Sequence, residues 1–271
     1  MRKLIRLKGV EVSYTDTGSG PCILLLHGYL ESAEIWEEFV PGLAGRFRVI
    51  SMDIPGHGRS GTWGREHSMN DLAESVKVLL DAEAIEKIVL VGHSMGGYVC
   101  MAFASLYPES LSGYVLFHST CFADNDEKRI NREREISLIL CGRKRQIINV
   151  NIPKAFADSN AESMEKQVRR CQEIADQNDD QGIVALLNGM KNREDYSVRL
   201  KNPSLPLLLI GGEKDNYIPL EVFERLASMA PHASLLRLKE SGHMGFIEEA
   251  DLSAEALIEF CQHAFSSGPA S

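Results

Sequence analysis

One strand that must turn at once into a helix constrains this chain more than any other stretch. After Lys87, the run Ile88-Val89-Leu90-Val91 is wholly aliphatic. It enters Gly92-His93-Ser94-Met95-Gly96-Gly97, and residues 98–107 then continue at helical periodicity until Pro108 stops them. A serine wedged between strand and helix takes a positive φ, which leaves no room for side chains two residues before and after it. Glycines at 92 and 96 meet that demand. Such a turn lifts the Ser94 hydroxyl above the carboxyl edge of a parallel sheet, which makes it a candidate nucleophile.

The rest of the chain supplies the sheet. Residues 4–7 and 10–15 alternate as a hairpin, closed by the turn-rich cluster 16–21, and residues 22–26 read as a strand buried on both faces. A helix is expected over 32–44 with Trp36, Phe39 and Val40 inward, then a strand over 47–52. Ser68 to Asp71 carries a capping signal for a helix to about Ala84, and another strand is expected over 113–117. From 121 to 201 the pattern is helical with hardly a strand, in four amphipathic segments near 126–141, 143–157, 161–177 and 181–191. Strands at 206–210 and 233–238 follow, with helices over 219–229 and 250–264 and a tail expected to fray from Ser266. This order predicts an α/β fold: a mostly parallel twisted sheet of about eight strands with helices on both faces. Residues 1–120 and 202–271 would form the core, and 121–201 an inserted helical lid.

Composition removes several classes. A formal charge of −9 leaves no basic field to hold a phosphate backbone, so nucleic acid is not expected as a partner. No apolar run reaches signal-peptide or membrane-spanning length, so the expected location is cytoplasmic, away from membranes. Six cysteines lie scattered without a Cys-x-x-Cys pair or a histidine at metal spacing; they read as free thiols, with no metal site. Glycine-rich phosphate loops are absent, and no cofactor is expected.

A serine hydroxyl is a poor nucleophile near neutral pH unless a base accepts its proton and a third group orients that base. Both can come from loops that follow late strands. The loop 211–219 offers Asp215, with Glu213 as a rival; Asp215 is favoured because Asn216-Tyr217-Ile218-Pro219 sets it just before the next helix. The loop 239–245 offers His243, and the chain order Ser, Asp, His suits a strand-turn-helix elbow. If Ser94 attacks a carbonyl, the negative oxygen needs two backbone donors, expected from Met95 and from Tyr29 in the loop after strand 22–26. Met244 beside His243 is a candidate to touch substrate, and His118 and Ser119 at a strand end either touch substrate or merely cap the loop. His93 reads as packing or as a support beside the nucleophile, and the charged runs 131–135 and 143–145 as a solvated face, with a clamp on a substrate carboxylate by one arginine as the alternative.

Together, His27-Gly28-Tyr29, the loop Asp53-Ile54-Pro55-Gly56-His57-Gly58-Arg59-Ser60, Gly92 to Gly97, Asp215 and Gly242-His243 resemble the α/β-hydrolase superfamily, in its lidded esterase and 3-oxoadipate enol-lactonase branch. The resemblance implies a Ser94, His243 and Asp215 triad, an acyl-enzyme on Ser94 and water attack assisted by His243. It implies a small ester or lactone as substrate, acted on without a cofactor by a monomer or homodimer. It also implies that Asp53, His57 and Arg59 brace the active-site loops. Serine at 94 argues against dehalogenase and epoxide-hydrolase relatives, which place an aspartate there. Carbon-carbon bond hydrolysis, perhydrolysis, a lyase step of menaquinone synthesis and hydrolase-like ligand sensing share the same outline.

Overall fold

In the computed structural model, residues 1–266 are described; the tail expected to fray lies, beyond Ser266 itself, outside the described residues. The strands are β1 (Arg2–Leu7), β2 (Val10–Thr17), β3 (Cys22–Leu26), β4 (Arg48–Met52), β5 (Ile88–His93), β6 (Leu111–Phe117), β7 (Leu207–Gly212) and β8 (Ser234–Leu238). They form one eight-stranded sheet in the order β1-β2-β4-β3-β5-β6-β7-β8. β1 and β2 pair antiparallel with their neighbours, and from β4 onward every pairing is parallel. β3 and β5 are buried at every residue, as their unbroken aliphatic sequences require of strands covered on both faces.

The helices are α1 (Val40–Ala44), α2 (Met69–Ala82), α3 (Met95–Leu106), α4 (Asp126–Leu140), α5 (Lys144–Ala155), α6 (Glu165–Gln177), α7 (Asp180–Lys191), α8 (Ser197–Leu200), α9 (Leu220–Met229), α10 (Gly245–Glu248) and α11 (Ala250–Ser266). α1 and α11 pack on each other and on the sheet; α2 and α3 pack together, with α3 against β5 and β6. Ser68 starts α2 as expected, its hydroxyl accepting from the Asp71 N–H at 3.1 Å. The helix expected over 32–44 is instead two pieces, a 3₁₀ turn Ala33–Trp36 capped by Ser32 and then α1. Pro41 is the cause: its ring and missing N–H fit the first turn of a helix but not its interior. Trp36 and Phe39 are buried as expected, while Val40 is half-buried.

Between β6 and β7 the chain is helical from α4 to α8. α4 packs on α5 and α7, and α5 on α6. This insertion is stitched to the rest of the fold in several places. The His67 N–H donates to the Ala185 carbonyl at 3.0 Å, and the His243 N–H donates to the Ala155 carbonyl at 2.6 Å. Glu248 accepts from the N–H groups of Ala157 and Gly242 through its two oxygens, and Asn160 donates to the Glu240 carbonyl. Among the described residues, no helix is long and apolar enough to cross a membrane.

Candidate active site

The parallel register sets the carboxyl ends of β3, β5, β6, β7 and β8 side by side, so the segments that follow them meet at one edge of the sheet. Ser94 follows β5 with φ 49° and ψ −112°, a conformation that costs a non-glycine residue about 1–3 kcal/mol and persists only where neighbours enforce it. Here the enforcement is visible. The Ser94 N–H donates to the Phe117 carbonyl at 3.0 Å, and its own carbonyl accepts from the Gly97 N–H and from the Ser119 hydroxyl at 2.6 Å. A Cβ on Gly92 would lie 2.3 Å from the Gly96 carbonyl oxygen, and one on Gly96 would lie 2.5 Å from that of Leu26. Backbone has closed on backbone, so only glycine fits at either place. The Ser94 hydroxyl makes no hydrogen bond to another described residue.

Asp215 and His243 are both buried and joined, Nδ1 to Oδ2, at 2.8 Å. The same Oδ2 accepts from His118 Nδ1 at 3.0 Å, and Oδ1 accepts from the N–H groups of Tyr217 and Ile218 at 2.7 and 2.9 Å. Burial by itself would raise the Asp215 carboxyl, but the charge of His243 and the bonds from both imidazoles hold it well below the usual carboxylate range. An ionised carboxylate only accepts, so the hydrogen of this contact is carried by Nδ1 of His243. His118 is neutral: burial pushes its pKa down to about 4, and its Nε2 accepts from the Gly245 N–H at 3.2 Å. These three side chains offer atoms within 4.8 Å of one another, a spacing a metal could use, but the atoms are already joined by hydrogen bonds.

The loop after β3 is braced from the Asp53 to Ser60 loop. His57 Nε2 accepts from the Leu30 N–H at 3.0 Å, His27 Nε2 accepts from the Ile54 N–H at 2.9 Å, and the two rings stack 5.8 Å apart. Burial pushes the His57 imidazole down to about 3, so it stays a neutral acceptor. Asp53 accepts from the Ala33 N–H at 2.8 Å, from the Arg59 N–H and from the Arg2 guanidinium. The Leu30 amide is taken by His57, whereas the N–H groups of Tyr29 and Met95 have no acceptor among the described residues.

A cavity of about 880 Å³ opens at this edge, lined by Ser94, His243, Met244, Tyr29 and Tyr98 from the core and by helices α4 and α5. Met244 therefore lies where the sequence suggested. His118 and Ser119 do not: His118 is spent behind the cavity on Asp215, and Ser119 beneath it on the Ser94 carbonyl. The run 131–135 also departs from expectation, because Arg132, Arg134 and Glu135 line the cavity instead of facing only bulk water. Asp124, fully buried, binds the guanidinium groups of Arg132 and Arg193. Glu213, the rival acid, sits 3.9 Å from Arg237 and away from the imidazole. Glu31, unnoticed in sequence, is buried against His93; nothing in the linear chain links positions 62 residues apart.

Residues 21–250 match the family described as the alpha/beta hydrolase fold. A 2-hydroxy-6-oxononadienedioate/2-hydroxy-6-oxononatrienedioate hydrolase of Paraburkholderia phymatum is 31% identical over 264 residues, covering 93% of this chain and 91% of the relative. A pimeloyl-[acyl-carrier protein] methyl ester esterase of Yersinia enterocolitica is 28% identical, over 91% of this chain and 96% of the relative. The solved thermophilic esterase of Thermogutta terrifontis superposes with a TM-score of 0.93 at 28% identity, over 97% of this chain and 99% of that one. With its single mostly parallel sheet, its strained Ser94 turn and a family match over most of its length, this chain belongs to the alpha/beta hydrolase fold family.

Proposed function

We propose that this protein is a cofactor-independent serine hydrolase that cleaves a small carboxylic ester or lactone through an acyl-enzyme on Ser94. The observation that carries the reading is the ionised Asp215 holding the Nδ1–H of His243, which leaves Nε2 as a base in the same cavity as the Ser94 hydroxyl. His243 takes the Ser94 proton as Oγ bonds to the substrate carbonyl carbon, and Asp215 stabilises the imidazolium that forms. The carbonyl oxygen, now negative, accepts from the N–H groups of Tyr29 and Met95. His243 returns the proton to the departing alcohol or ring oxygen. It then deprotonates a water that attacks the acyl carbon, and returns that proton to Ser94 Oγ as the acyl carbon–Oγ bond breaks and the acid leaves. Residues 121–201 act as the lid that shapes the cavity. All six cysteines are free and five are buried, which supports a reducing, cytoplasmic setting.

A second reading, carbon-carbon bond hydrolysis of a dienoic diacid, is favoured by Lys128, Arg132, Arg134 and Lys154, four cationic side chains lining the cavity. The Paraburkholderia phymatum relative carries a diacid in its name. One experiment separates the two. Stopped-flow hydrolysis of p-nitrophenyl acetate and butyrolactone, run beside a 2-hydroxy-6-oxo-dienoate, is expected to give an acyl burst with the ester that disappears in Ser94→Ala. A burst that survives in Ser94→Ala overturns the assignment; turnover confined to the dienoate moves it to the second reading.

A further inference from the structure

Glu31 and His93 are buried beside the site yet belong to none of the roles above. Glu31 lies just past the loop that follows β3, and its Oε2 accepts from the Gly28 N–H at 2.6 Å and from His93 Nδ1 at 3.0 Å. The far side of the same ring, Nε2, donates to the main-chain carbonyl of His243 at 2.9 Å. Both ring nitrogens of His93 therefore face acceptors. A carbonyl has no hydrogen to give, so Nε2 must be protonated, and the Glu31–His93 contact must hold one further proton.

Burial opposes charge on either partner, but the charge of Glu31 and its hydrogen bond raise His93 above the ordinary imidazole range, and His93 lowers Glu31 in turn. The two shifts agree on an imidazolium against a carboxylate. Aromatic rings pack on the imidazole while Glu31 reaches the wall of the cavity: the Phe246 ring stands nearly perpendicular to His93 with centroids 5.0 Å apart, and Trp36 is perpendicular at 6.3 Å. The His243 ring is the neighbour on the reactive side, 4.9 Å away. The loop closes on the pair without slack, because a Cβ on Gly28 would come within 2.9 Å of His93 Nδ1 and 3.0 Å of Glu31 Oε2.

We propose that the buried Glu31–His93 pair is a positioning device for the reaction at Ser94: one hydrogen-bonded chain that fixes the Gly28-Tyr29 loop, the donor side, to the main chain of His243, the base side. Neither residue touches the reacting atoms. Their work is to set the distance between the group that receives negative charge and the group that moves the proton, through the residue that directly precedes the nucleophile. The inference rests on the acyl-transfer reading, since without an oxyanion the spacing of the loop would have no chemical consequence.

The test has two arms. In wild-type protein labelled with ¹⁵N-histidine, both His93 ring nitrogens are expected to carry hydrogens at about pH 7.5; a ring with one bare nitrogen that titrates like a free imidazole overturns the proposal. In Glu31→Gln, kcat on p-nitrophenyl acetate is expected to fall about 10- to 100-fold with KM within about threefold, as displacement by a fraction of an ångström does at a reacting centre. Glu31→Asp, which keeps the charge, should recover part of that loss, whereas a group needed only for folding would move melting temperature and leave kcat per folded molecule alone. Unchanged kcat in folded Glu31→Gln overturns the device while the hydrolase stands. A wild type that neither cleaves esters nor takes a fluorophosphonate on Ser94 overturns the hydrolase reading, and is told apart by failing before any variant is made.

Discussion

Asp215→Asn tests the charge logic of the site with almost no change of shape. In the native protein Oδ2 accepts from two imidazoles while Oδ1 is held by two backbone amides. Asparagine can keep the Oδ1 contacts with its carbonyl oxygen, and then its NH₂ points at two ring N–H groups. His243 escapes that clash by moving its hydrogen to Nε2, the tautomer that cannot accept the Ser94 proton. The lost attraction is also large. At the 2.8 Å separation of His243 and Asp215 and an effective dielectric of about 20, Coulomb's law gives about 6 kcal/mol between carboxylate and imidazolium. Relaxation and residual hydrogen bonding leave about 4–5.5 kcal/mol of this in the transition state, so kcat is expected to fall about 10³- to 10⁴-fold. The assay is steady-state and stopped-flow hydrolysis of p-nitrophenyl acetate, with circular dichroism to show that the variant is folded. Glu213→Gln is the control: that carboxylate faces Arg237, and its loss should leave the rate within about twofold. A folded Asp215→Asn with kcat within tenfold of wild type, or a loss that follows Glu213 instead, refutes the reasoning.

Two more expectations concern the frame around the site. Gly92→Ala places a Cβ 2.3 Å from the Gly96 carbonyl, where only backbone can yield, so a loss of about 1–3 kcal/mol in urea unfolding is expected along with most of the ester activity; a fully stable variant would show that the turn can relax. His118 is held at a folded pKa of about 4, below the value near 6.5 of an unfolded chain, so the unfolded state binds the extra proton first as acid is added. Stability should therefore fall as pH drops from about 6.5 to about 4, by on the order of 3 kcal/mol from this residue, and level off below. His118→Asn should flatten that part of the profile in urea titrations; an unchanged slope would place the proton uptake elsewhere.

The fold was legible because the central strands β3, β5 and β7 are dominated by aliphatic residues and the strands before Ser94, Asp215 and His243 are each followed by a turn signal, so that these three could each be assigned to a strand end. What escaped were contacts created by strand register. The bond from His118 to Asp215 spans 97 positions and exists because Phe117 pairs with Ile210, a relation that periodicity does not encode. His118 at a strand end therefore read equally as a pocket residue or a loop cap, and not as a partner of Asp215. The α4 charges misled for another reason: a helix between bulk water and a polar cavity is polar on both sides, so its pattern does not tell one wet face from the other. The break at Pro41 was readable, since proline inside an otherwise helical pattern restarts the helix.

The join between Ala155 and His243 carries a consequence for how molecules enter. The carbonyl that ends α5 holds the amide of His243, the base of the proposed reaction, and Glu248 grips the stretches on both sides of that join. Swinging this end of the helical segment outward would break that bond and loosen the imidazole along with it, so on the acyl-transfer reading an opening at this end and a seated base exclude each other.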